Sequence, residues 1–385
     1  MGWLTAAEAL AVLDVQPQTL YANVSRGRIR AKPDPKDSRR SLYHSGDVRR
    51  VAGRHGGRRS AAAVAAEAIG WGDPVLASGV STVAHGRLWY RGRDAVMLST
   101  TATLEDVAAL LWEAQGVQFG PFKEVGKRQE NHQHPLHTAL LALSSRVAID
   151  PPTRGRSRLV LAREAASLVS LIAYAMTGAF PDSLPLHVRI ARAWKTPHVQ
   201  EILRRALVLL ADHELNASTF AARVAASTGA PLCAGLIAGL AALSGPLHGG
   251  ASAAVRALTE SAEQIGATEA VRIWLACGHP LAASGFGHPL YAEGDPRALA
   301  LLEWFEPRPV FAELRSVVET LTGEHPNVDF AIAAMADAYR LPPTAPFTIF
   351  ATARSVGWTA HILEQTATGS LIRPRARYVG PPLPA

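Results

Sequence analysis

The chain has 385 residues, which suggests two or three domains, and 48% of them are apolar, enough for a large core. The net charge of +7 lies entirely in residues 1–60, which carry 12 of the 39 basic residues but only 5 of the 32 acidic ones. Two cysteines exclude a disulfide scaffold and fit a reducing cytoplasm, and no apolar secretory segment opens the sequence. Apolar residues at helical spacing predict a mainly α protein, in which a basic module precedes a neutral body.

The basic module, residues 1–57, has the pattern of two short helices joined by a tight turn. Thr5 and Glu8 match a capping box at the start of the first helix, Pro17 suits the first turn of the second helix, and Gly27 ends it. If the second helix reads DNA, it exposes five side chains. These are Gln18, Thr19, Ala22, Asn23 and Arg26.

A two-stranded wing with basic flanks is predicted at residues 28–30 and 39–43, and Ser45 opens a third helix. The module resembles the winged helix-turn-helix of the MerR and excisionase type. Two interpretations stay open: its arginines bind DNA phosphates, or it serves packing and oligomer contacts. Glycine and arginine at residues 53–60 indicate the start of a linker, which we expect at residues 58–70.

An uncharged stretch at residues 224–255 is long enough to cross a bilayer. Pro231 and Pro246 interrupt it, so its helical part is too short to span. Gly235 and Gly239 lie four residues apart on one helix face, and small residues at this spacing let another helix approach closely. The pattern therefore predicts a buried helix, with a subunit interface as one option, and no membrane span.

Four segments marked by glycine or proline concentrate the candidate chemistry. They supply two histidines, one carboxylate and one arginine, which suits proton transfer beside a carbonyl group with an arginine to hold an anionic substrate. The segments are residues 244–251 with His248, 285–291 with His288, 295–297 with Arg297, and 327–330 with Asp329.

From about residue 70 the chain resembles the citrate synthase family. The resemblance rests on the four segments in this order and on further motifs at residues 90–94, 104–108, 134–136, 211–219, 347–364 and 373–380. It implies a two-domain, all-helical body, with a large α domain at residues 71–259 and 353–385. A smaller α domain at residues 260–352 is expected to close over the substrates.

The resemblance implies condensation of acetyl-coenzyme A with oxaloacetate and water, which gives citrate and coenzyme A in the tricarboxylic acid cycle. Asp329 is then the base that takes a proton from the acyl methyl group. A carbon acid this weak also needs a donor to the enolate oxygen, here His248, kept neutral by the following helix N-terminus. His288 is expected to polarise the carbonyl of the keto diacid.

The substrate carboxylates need cationic partners, and the planar fork of arginine binds a carboxylate in bidentate fashion. The resemblance implies a substrate-binding set of His213, Arg297, Arg354 and Arg373. Arg373 is expected to reach the site of a neighbouring subunit, so a homodimer or higher oligomer with a shared site is implied. Neither a metal nor a permanently bound cofactor is expected, because the coenzyme A thioester is a substrate. Three other histidines, at 279, 325 and 361, are expected to be structural or surface residues.

Two departures from the family pattern leave the acyl donor open. Pro289 and Ala292 are uncharged and Glu293 is acidic, where many relatives carry basic residues for the coenzyme A phosphates. Residues 331–333 read Ala-Ile-Ala instead of Tyr-Ser-Gly. One alternative is a 2-methylcitrate synthase that uses propionyl-coenzyme A. Another is a DNA-binding regulator whose body senses an acyl-coenzyme A or a dicarboxylate, although a sensor need not keep a catalytic base.

Overall fold

The computed structural model describes residues 3–51 except 14, 26, 35–36 and 49–50, residues 76–120, and residues 134–381 except 377 and 379. The chain divides into two compact units, Met1–Ala77 with Arg375–Ala385, and Ser78–Pro374. The linker predicted at residues 58–70 lies outside the described residues. The finer division of the body into two α domains stays a prediction.

In its described residues, the N-terminal unit contains two helices, a helical segment at residues 45–48, where a third helix was predicted to begin, and a small antiparallel sheet of order β1-β3-β2. Glu8 accepts hydrogen bonds from the N–H and hydroxyl of Thr5, and the Thr5 hydroxyl accepts one from the Glu8 N–H, so the predicted capping box is present. The elements are β1 (Trp3–Leu4), α1 (Ala6–Leu13), α2 (Pro17–Ser25), β2 (Ala31–Asp34) and β3 (Asp37–His44).

Two predictions for this unit were wrong, the exposure of Asn23 and the start of the hairpin. Asn23, expected to face DNA, is 5% exposed and donates a hydrogen bond to the Thr19 carbonyl (2.8 Å), whereas Tyr21 is exposed. The first strand of the hairpin begins at Ala31 rather than at residue 28, because Ile29 is buried in the core of the unit. Arg26 lies outside the described residues.

The body opens with an antiparallel sheet of order β4-β5-β6 and is otherwise helical, as predicted. The strands are β4 (Ser81–Ala84), β5 (Arg87–Tyr90) and β6 (Arg93–Asp94). The helices up to the middle of the chain are α3 (Ala95–Ser99), α4 (Leu104–Trp112), α5 (Pro135–Val147), α6 (Arg158–Thr177), α7 (Leu186–Ala193), α8 (Gln200–Leu210), α9 (Ala217–Ser227) and α10 (Leu232–Leu243). Those that follow are α11 (Ala251–Ile265), α12 (Ala267–Ala276), α13 (Pro296–Leu302), α14 (Pro309–Thr322), α15 (Val328–Ala338) and α16 (Ala345–Thr368).

Two apolar clusters fill the body. The larger surrounds α16, whose buried side chains from Ala345 to Gln365 contact helices on several sides. The smaller joins α11, α12, α14 and α15 through residues such as Val255, Leu258, Phe311 and Phe330. Since α15 has buried residues in both clusters, a side chain in its first turn is placed where the two clusters meet.

Close packing of α10 on α16 confirms the role predicted for the two glycines. A Cβ on Gly235 would lie 2.6 Å from Ile362 Cδ1, and one on Gly239 would lie 2.8 Å from the Trp358 ring. Both cysteines stand in apolar, helix-like sequence, which predicts two buried thiols. Cys233 is buried, but Cys277 is exposed, so the prediction was wrong for Cys277.

We expect Gly239→Leu to lower the free energy of unfolding by about 3 kcal/mol, because the new side chain overlaps the fully buried Trp358 ring. Gly79→Ala is the control, since its new Cβ would make only ordinary contacts, the nearest at 3.6 Å. Urea titration of both variants measures the difference. Equal stability of the two variants would show that α10 and α16 can separate at little cost.

Among the described helices, α6 is long and apolar enough to cross a membrane by length and composition, with a mean hydropathy of 1.6 over its most apolar window. More than half of that window, 56%, is buried inside the protein. Core helices of soluble proteins meet the same criterion, so this helix is weak support for a span.

Candidate active site

The candidate site is built around the first turn of α15. The side-chain oxygen of Asn327 accepts a hydrogen bond from the Asp329 N–H (3.0 Å), and its amide nitrogen donates one to the Gly287 carbonyl (3.1 Å). The Asn327 N–H donates to the Gly285 carbonyl (2.8 Å). Both glycines have positive φ (91° for Gly285 and 79° for Gly287), which favours glycine. These bonds fasten the turn before His288 to the helix that carries Asp329.

Asp329 is the carboxyl group of the site. Its side chain is partly buried, and no residue in the described part of the chain donates a hydrogen bond to the carboxylate. Burial raises the pKa of Asp329 to about 6, opposed by the charges of Arg297 and Arg354 and aided by that of Asp295. The predicted desolvation is therefore present, and it makes the carboxylate a stronger base than an exposed aspartate.

Arg297 lies in the first turn of α13 and is held by the residue that caps this helix. Asp295 accepts hydrogen bonds from Arg297 Nε (2.9 Å) and Nη2 (2.7 Å) and from the backbone N–H of Val328 (3.0 Å). One carboxylate thus joins the starts of α13 and α15. Because Asp295 occupies the Nε–Nη2 edge of the guanidinium, the Nη1 side is the part left to bind a substrate carboxylate.

Two imidazoles and a phenol form an aromatic cluster beside Arg297. The rings of His213 and His288 meet edge to face with 5.0 Å between centroids, and Tyr291 Oη lies 2.9 Å from His213 Nε2. His288 Nδ1 accepts a hydrogen bond from the Leu290 N–H (3.2 Å), so we assign the proton of the neutral ring to Nε2. Burial, and then the charge of Arg297, lowers the pKa of His288 to about 4. At pH 7 His288 is therefore a neutral donor.

His248 is oriented by a hydroxyl group that two other side chains also contact. Ser218 Oγ lies 2.7 Å from His248 Nε2, accepts a hydrogen bond from Trp358 Nε1 (3.0 Å), and donates one to the side-chain oxygen of Asn216 (2.8 Å). A hydroxyl has one proton, already given to Asn216, so His248 Nε2 has to be the donor to Ser218. We therefore assign the proton of His248 to Nε2 in this arrangement.

Burial and a neighbouring cation keep His248 neutral. The pKa of His248 is lowered to about 4 by burial and then by the charge of Arg354. Since the proton lies on Nε2, donation to a thioester oxygen from Nδ1 requires the other tautomer. A turn of the Ser218 O–H from Asn216 to His248 Nε2 allows that tautomer, while Trp358 still donates to Ser218.

Arg354 projects from the middle of α16 and is 1% exposed. Its Nε donates a hydrogen bond to the Leu210 carbonyl (3.1 Å), and its guanidinium carbon lies 4.6 Å from the centroid of the Phe350 ring. Both Nη atoms are buried, and no acceptor among the described residues contacts them. A buried guanidinium with two unsatisfied nitrogens is the strongest sign of an anionic ligand in the body.

The structure brings six of the seven predicted site residues together. The charge of Arg354 acts on His213, His248 and Asp329, and that of Arg297 acts on His213, His288 and Asp329. Burial and these cations lower the pKa of His213 well below its usual value. Arg373 is exposed in the single chain, so its predicted role stays tied to a second subunit. In the described parts of the chain, no group of three or more His, Cys, Asp or Glu side chains is placed to bind a metal.

Two carboxylates flank His213 and fasten its segment to β4. Asp212 accepts hydrogen bonds from the Ser81 hydroxyl and from His361 Nε2 (3.2 Å), and Asp212 and His361 are fully buried. Glu214 accepts hydrogen bonds from the Val83 N–H and from the Thr82 hydroxyl (3.0 Å). His361 is structural, as expected, but its partner could not be predicted from the sequence. The bonds on both sides fix the backbone that aims His213 into the site.

We expect His361→Ala to lower the free energy of unfolding by about 3–5 kcal/mol, because it leaves the Asp212 carboxylate buried without its partner. The charge of His361 lowers the pKa of Asp212 against the effect of burial, so this stabilisation is present above the unfolded pKa and is lost as the pH falls through the folded one. His325→Ala breaks the partly exposed pair with Glu319 and should cost less than about 1 kcal/mol. Denaturant titration at neutral pH compares the two variants.

Four further residues of the site were not singled out from the sequence: Ser218, Tyr291, Asp295 and Phe350. Asp295 had a local signal, since an Asp-Pro pair is a typical helix start. Ser218, Tyr291 and Phe350 lie in recognised motifs, but each also contacts a histidine of the site at least 30 positions away, which spacing alone could not predict.

Comparison with known proteins agrees with this geometry. The family model described as "Citrate synthase, C-terminal domain" matches residues 70–375. Citrate synthase 2 of Bacillus subtilis (strain 168) is 32% identical over 351 residues, which cover 79% of this chain and 93% of that protein. A 2-methylcitrate synthase of Mycobacterium tuberculosis (strain ATCC 25618 / H37Rv) is 30% identical over 341 residues, 76% of this chain and 84% of that protein.

Solved structures show the same fold. The crystal structure of citrate synthase from Thermotoga maritima MSB8 has a TM-score of 0.65 at 26% identity, and covers 82% of this chain and 96% of its own. That of Thermoplasma acidophilum, a ternary complex with carboxymethyl coenzyme A and oxaloacetate, has a TM-score of 0.66 at 23% identity, over 81% and 95%. The fold is that of a family of enzymes that transfer acyl groups by condensation. The chain belongs to the citrate synthase family.

Proposed function

We propose that the chain condenses acetyl-coenzyme A with oxaloacetate and water to give citrate and coenzyme A, the citrate-forming step of the tricarboxylic acid cycle. The observation that carries this proposal is one grouping: Asp329, whose pKa is near 6, beside two neutral histidines and two buried arginines. The ligands of the Thermoplasma acidophilum structure support this pair of substrates.

In this reaction Asp329 takes a proton from the carbon next to the thioester carbonyl. When the Ser218 hydroxyl donates to Nε2, His248 carries its proton on Nδ1. His248 Nδ1 then donates a hydrogen bond to the enolate oxygen as charge develops there. The carbon then attacks the ketone carbon of oxaloacetate, whose oxygen takes the proton of His288 Nε2 and becomes a hydroxyl. Solvent returns a proton to His288 as Asp329 loses the one that it removed. The C–C bond forms before water cleaves the thioester and releases the coenzyme A thiol.

The dianion is bound through cationic groups on both sides of the ketone. Arg354 offers two unpartnered Nη atoms, and Arg297 offers the edge that Asp295 leaves unoccupied. His213 adds a hydrogen bond from a ring kept neutral by burial. Neutral imidazoles beside two arginines avoid the repulsion that imidazolium ions would add, and they are donors without charge of their own.

A homodimer or higher oligomer is part of the proposal, with Arg373 of one subunit completing the site of another. Arg373 is exposed in the single chain, as this role requires. Apolar side chains are exposed on and beside α5 and α6, where a second subunit can cover them. They are Leu141, Val147, Ile149, Leu159 and Val160. Sedimentation velocity tests this point, and a monomer at assay concentration contradicts it.

The test of the activity is thiol release from acetyl- and propionyl-coenzyme A, each with and without oxaloacetate. Release that depends on oxaloacetate supports the condensation, and the donor with the higher kcat/KM distinguishes citrate from 2-methylcitrate formation. The 2-methylcitrate synthase relative and the Ala-Ile-Ala sequence at residues 331–333 keep propionyl-coenzyme A as the alternative donor. Folded protein without any release contradicts the proposal.

DNA binding by residues 1–57 is the second candidate function. The observation that favours it is the confinement of all excess positive charge to residues 1–60, together with two helices and a hairpin in the N-terminal unit. The family match begins at residue 70, so the comparisons give this function no support. A gel-shift series with the full-length chain, random duplex DNA and increasing salt tests it. Absence of a shift at low salt contradicts DNA binding.

A further inference from the structure

A cavity of about 370 Å³ lies along the face of α15 that carries Asp329. Residues three or four apart share a helix face, so Asp329, Ala333 and Ala336 form one row. Ala333 and Ala336 line the cavity. The lining of the cavity therefore begins four residues after Asp329 on the same helix face, a rise of about 6 Å along the helix axis.

Two other helices lead from the site to the same cavity. Ser252, which lines the cavity, lies in the first turn of α11, four residues after His248. Pro346, another lining residue, lies one turn before Phe350 on α16. The Phe350 ring meets that of His248 at 6.4 Å between centroids. Each of the three walls therefore has a lining residue four positions along the chain from a residue of the site.

The chemistry of the lining selects the kind of ligand. The floor is apolar and nearly fully buried, with Val255, Phe311, Ala333 and Leu341 each at most 9% exposed. The rim carries three arginines and three carboxylates, so its formal charges cancel. Arg308 is paired with Glu263 (2.9 Å) and Asp337 (2.8 Å), and Arg256 donates a hydrogen bond to the Pro343 carbonyl (2.7 Å). A phosphate or second carboxylate gains little here, whereas a hydrocarbon chain fits the floor.

We propose that this cavity, the acyl-chain cavity, receives the alkyl chain of the acyl donor, and that the enzyme accepts unbranched donors of four to six carbons. The inference rests on the proposed condensation and extends its substrate class. The reaction is unchanged: Asp329 takes a proton from the α carbon, that carbon bonds to the ketone carbon of oxaloacetate, and water releases the thiol. The alkyl group on the α carbon follows α15 from Asp329 past Ala333. Ala333 then determines chain-length specificity, since a larger side chain closes the entrance.

The experiment compares kcat/KM for acetyl-, propionyl-, butyryl- and hexanoyl-coenzyme A with oxaloacetate, with the product masses as a second readout. In Ala333→Leu the ratio of hexanoyl to acetyl activity should fall at least tenfold, because the added side chain excludes the methylene groups. Ser252→Leu narrows the opposite wall and should shift the ratio in the same direction, which keeps the test valid if one variant fails to fold. Ala338→Leu, on the same helix but outside the lining, should keep the wild-type ratio.

The outcomes separate this inference from the proposed function. A wild-type enzyme that uses acetyl- or propionyl-coenzyme A but neither longer donor overturns the acyl-chain cavity and leaves the condensation standing. Hexanoyl turnover with the same ratio in Ala333→Leu and Ala338→Leu also overturns it. No release from any donor by folded protein contradicts the condensation itself.

Discussion

Asp329→Asn is expected to reduce kcat of the condensation about 10³-fold, since the amide cannot accept the proton of the acyl methyl group. In the wild type, kcat/KM should rise with pH through about 6 and then level off, because only the ionised carboxylate is a base and burial raises the pKa of Asp329 to about 6. Steady-state thiol release between pH 5 and 8 measures both effects. The residual activity of the variant should lack this ionisation.

Stability provides an independent check on the same carboxyl group. A folded pKa above the unfolded value means that ionisation of Asp329 destabilises the native state. The stabilisation that protonated Asp329 contributes is therefore fully present below pH 3.8 and is lost as the pH rises through about 6. Asp329→Asn should therefore raise Tm at pH 8 and leave it nearly unchanged at pH 4. Asp106→Asn, at an exposed helix start, is the control and should keep wild-type activity. Full activity of the Asp329→Asn enzyme would show that Asp329 is not the base.

Local sequence signals predicted helix starts in both units. The capping box of Thr5 and Glu8 is present in the N-terminal unit, and the helix expected after His248 begins at Ala251, directly after two glycines. Each depends on residues within four positions of one another, where chain geometry decides the contact. Local sequence therefore placed His248 just before a helix, whereas the grouping of His248 with Asp329 was implied only by the family motifs.

The long-range partners could not be predicted in this way. His361 and Asp212 are 149 positions apart, and Trp358 contacts Ser218 across 140 positions. Nothing in the spacing of such residues states that they meet, because the contact follows from the packing of α16 among other helices. The same reason explains why Asn23 is buried and Cys277 exposed: helix propensity and polarity do not fix which face the core takes.

Arg354→Lys should raise KM for oxaloacetate about 10²-fold, although the charge is conserved. The guanidinium holds its Nε on the Leu210 carbonyl and presents two Nη atoms together, whereas an ammonium group is a single point and cannot do both. The direct measurement is the thermal shift given by oxaloacetate alone. At 100 times its Kd a ligand adds about 2.7 kcal/mol of stability, so a tenfold or greater loss of affinity reduces the shift measurably.

The matched control is Arg205→Lys, which changes another buried arginine, 6% exposed and stacked on the Trp304 ring, 3.2 Å from its centroid. Arg205 lies outside the site, so this variant is expected to lose some stability but to keep the oxaloacetate shift. Arg354 has no acceptor for its Nη atoms among the described residues, and burial lowers its pKa because the charge is poorly solvated. A bound dianion therefore supplies the acceptors that both Nη atoms of Arg354 lack. Equal oxaloacetate shifts in both variants would place the carboxylate-binding group elsewhere, with Arg297 as the remaining buried candidate.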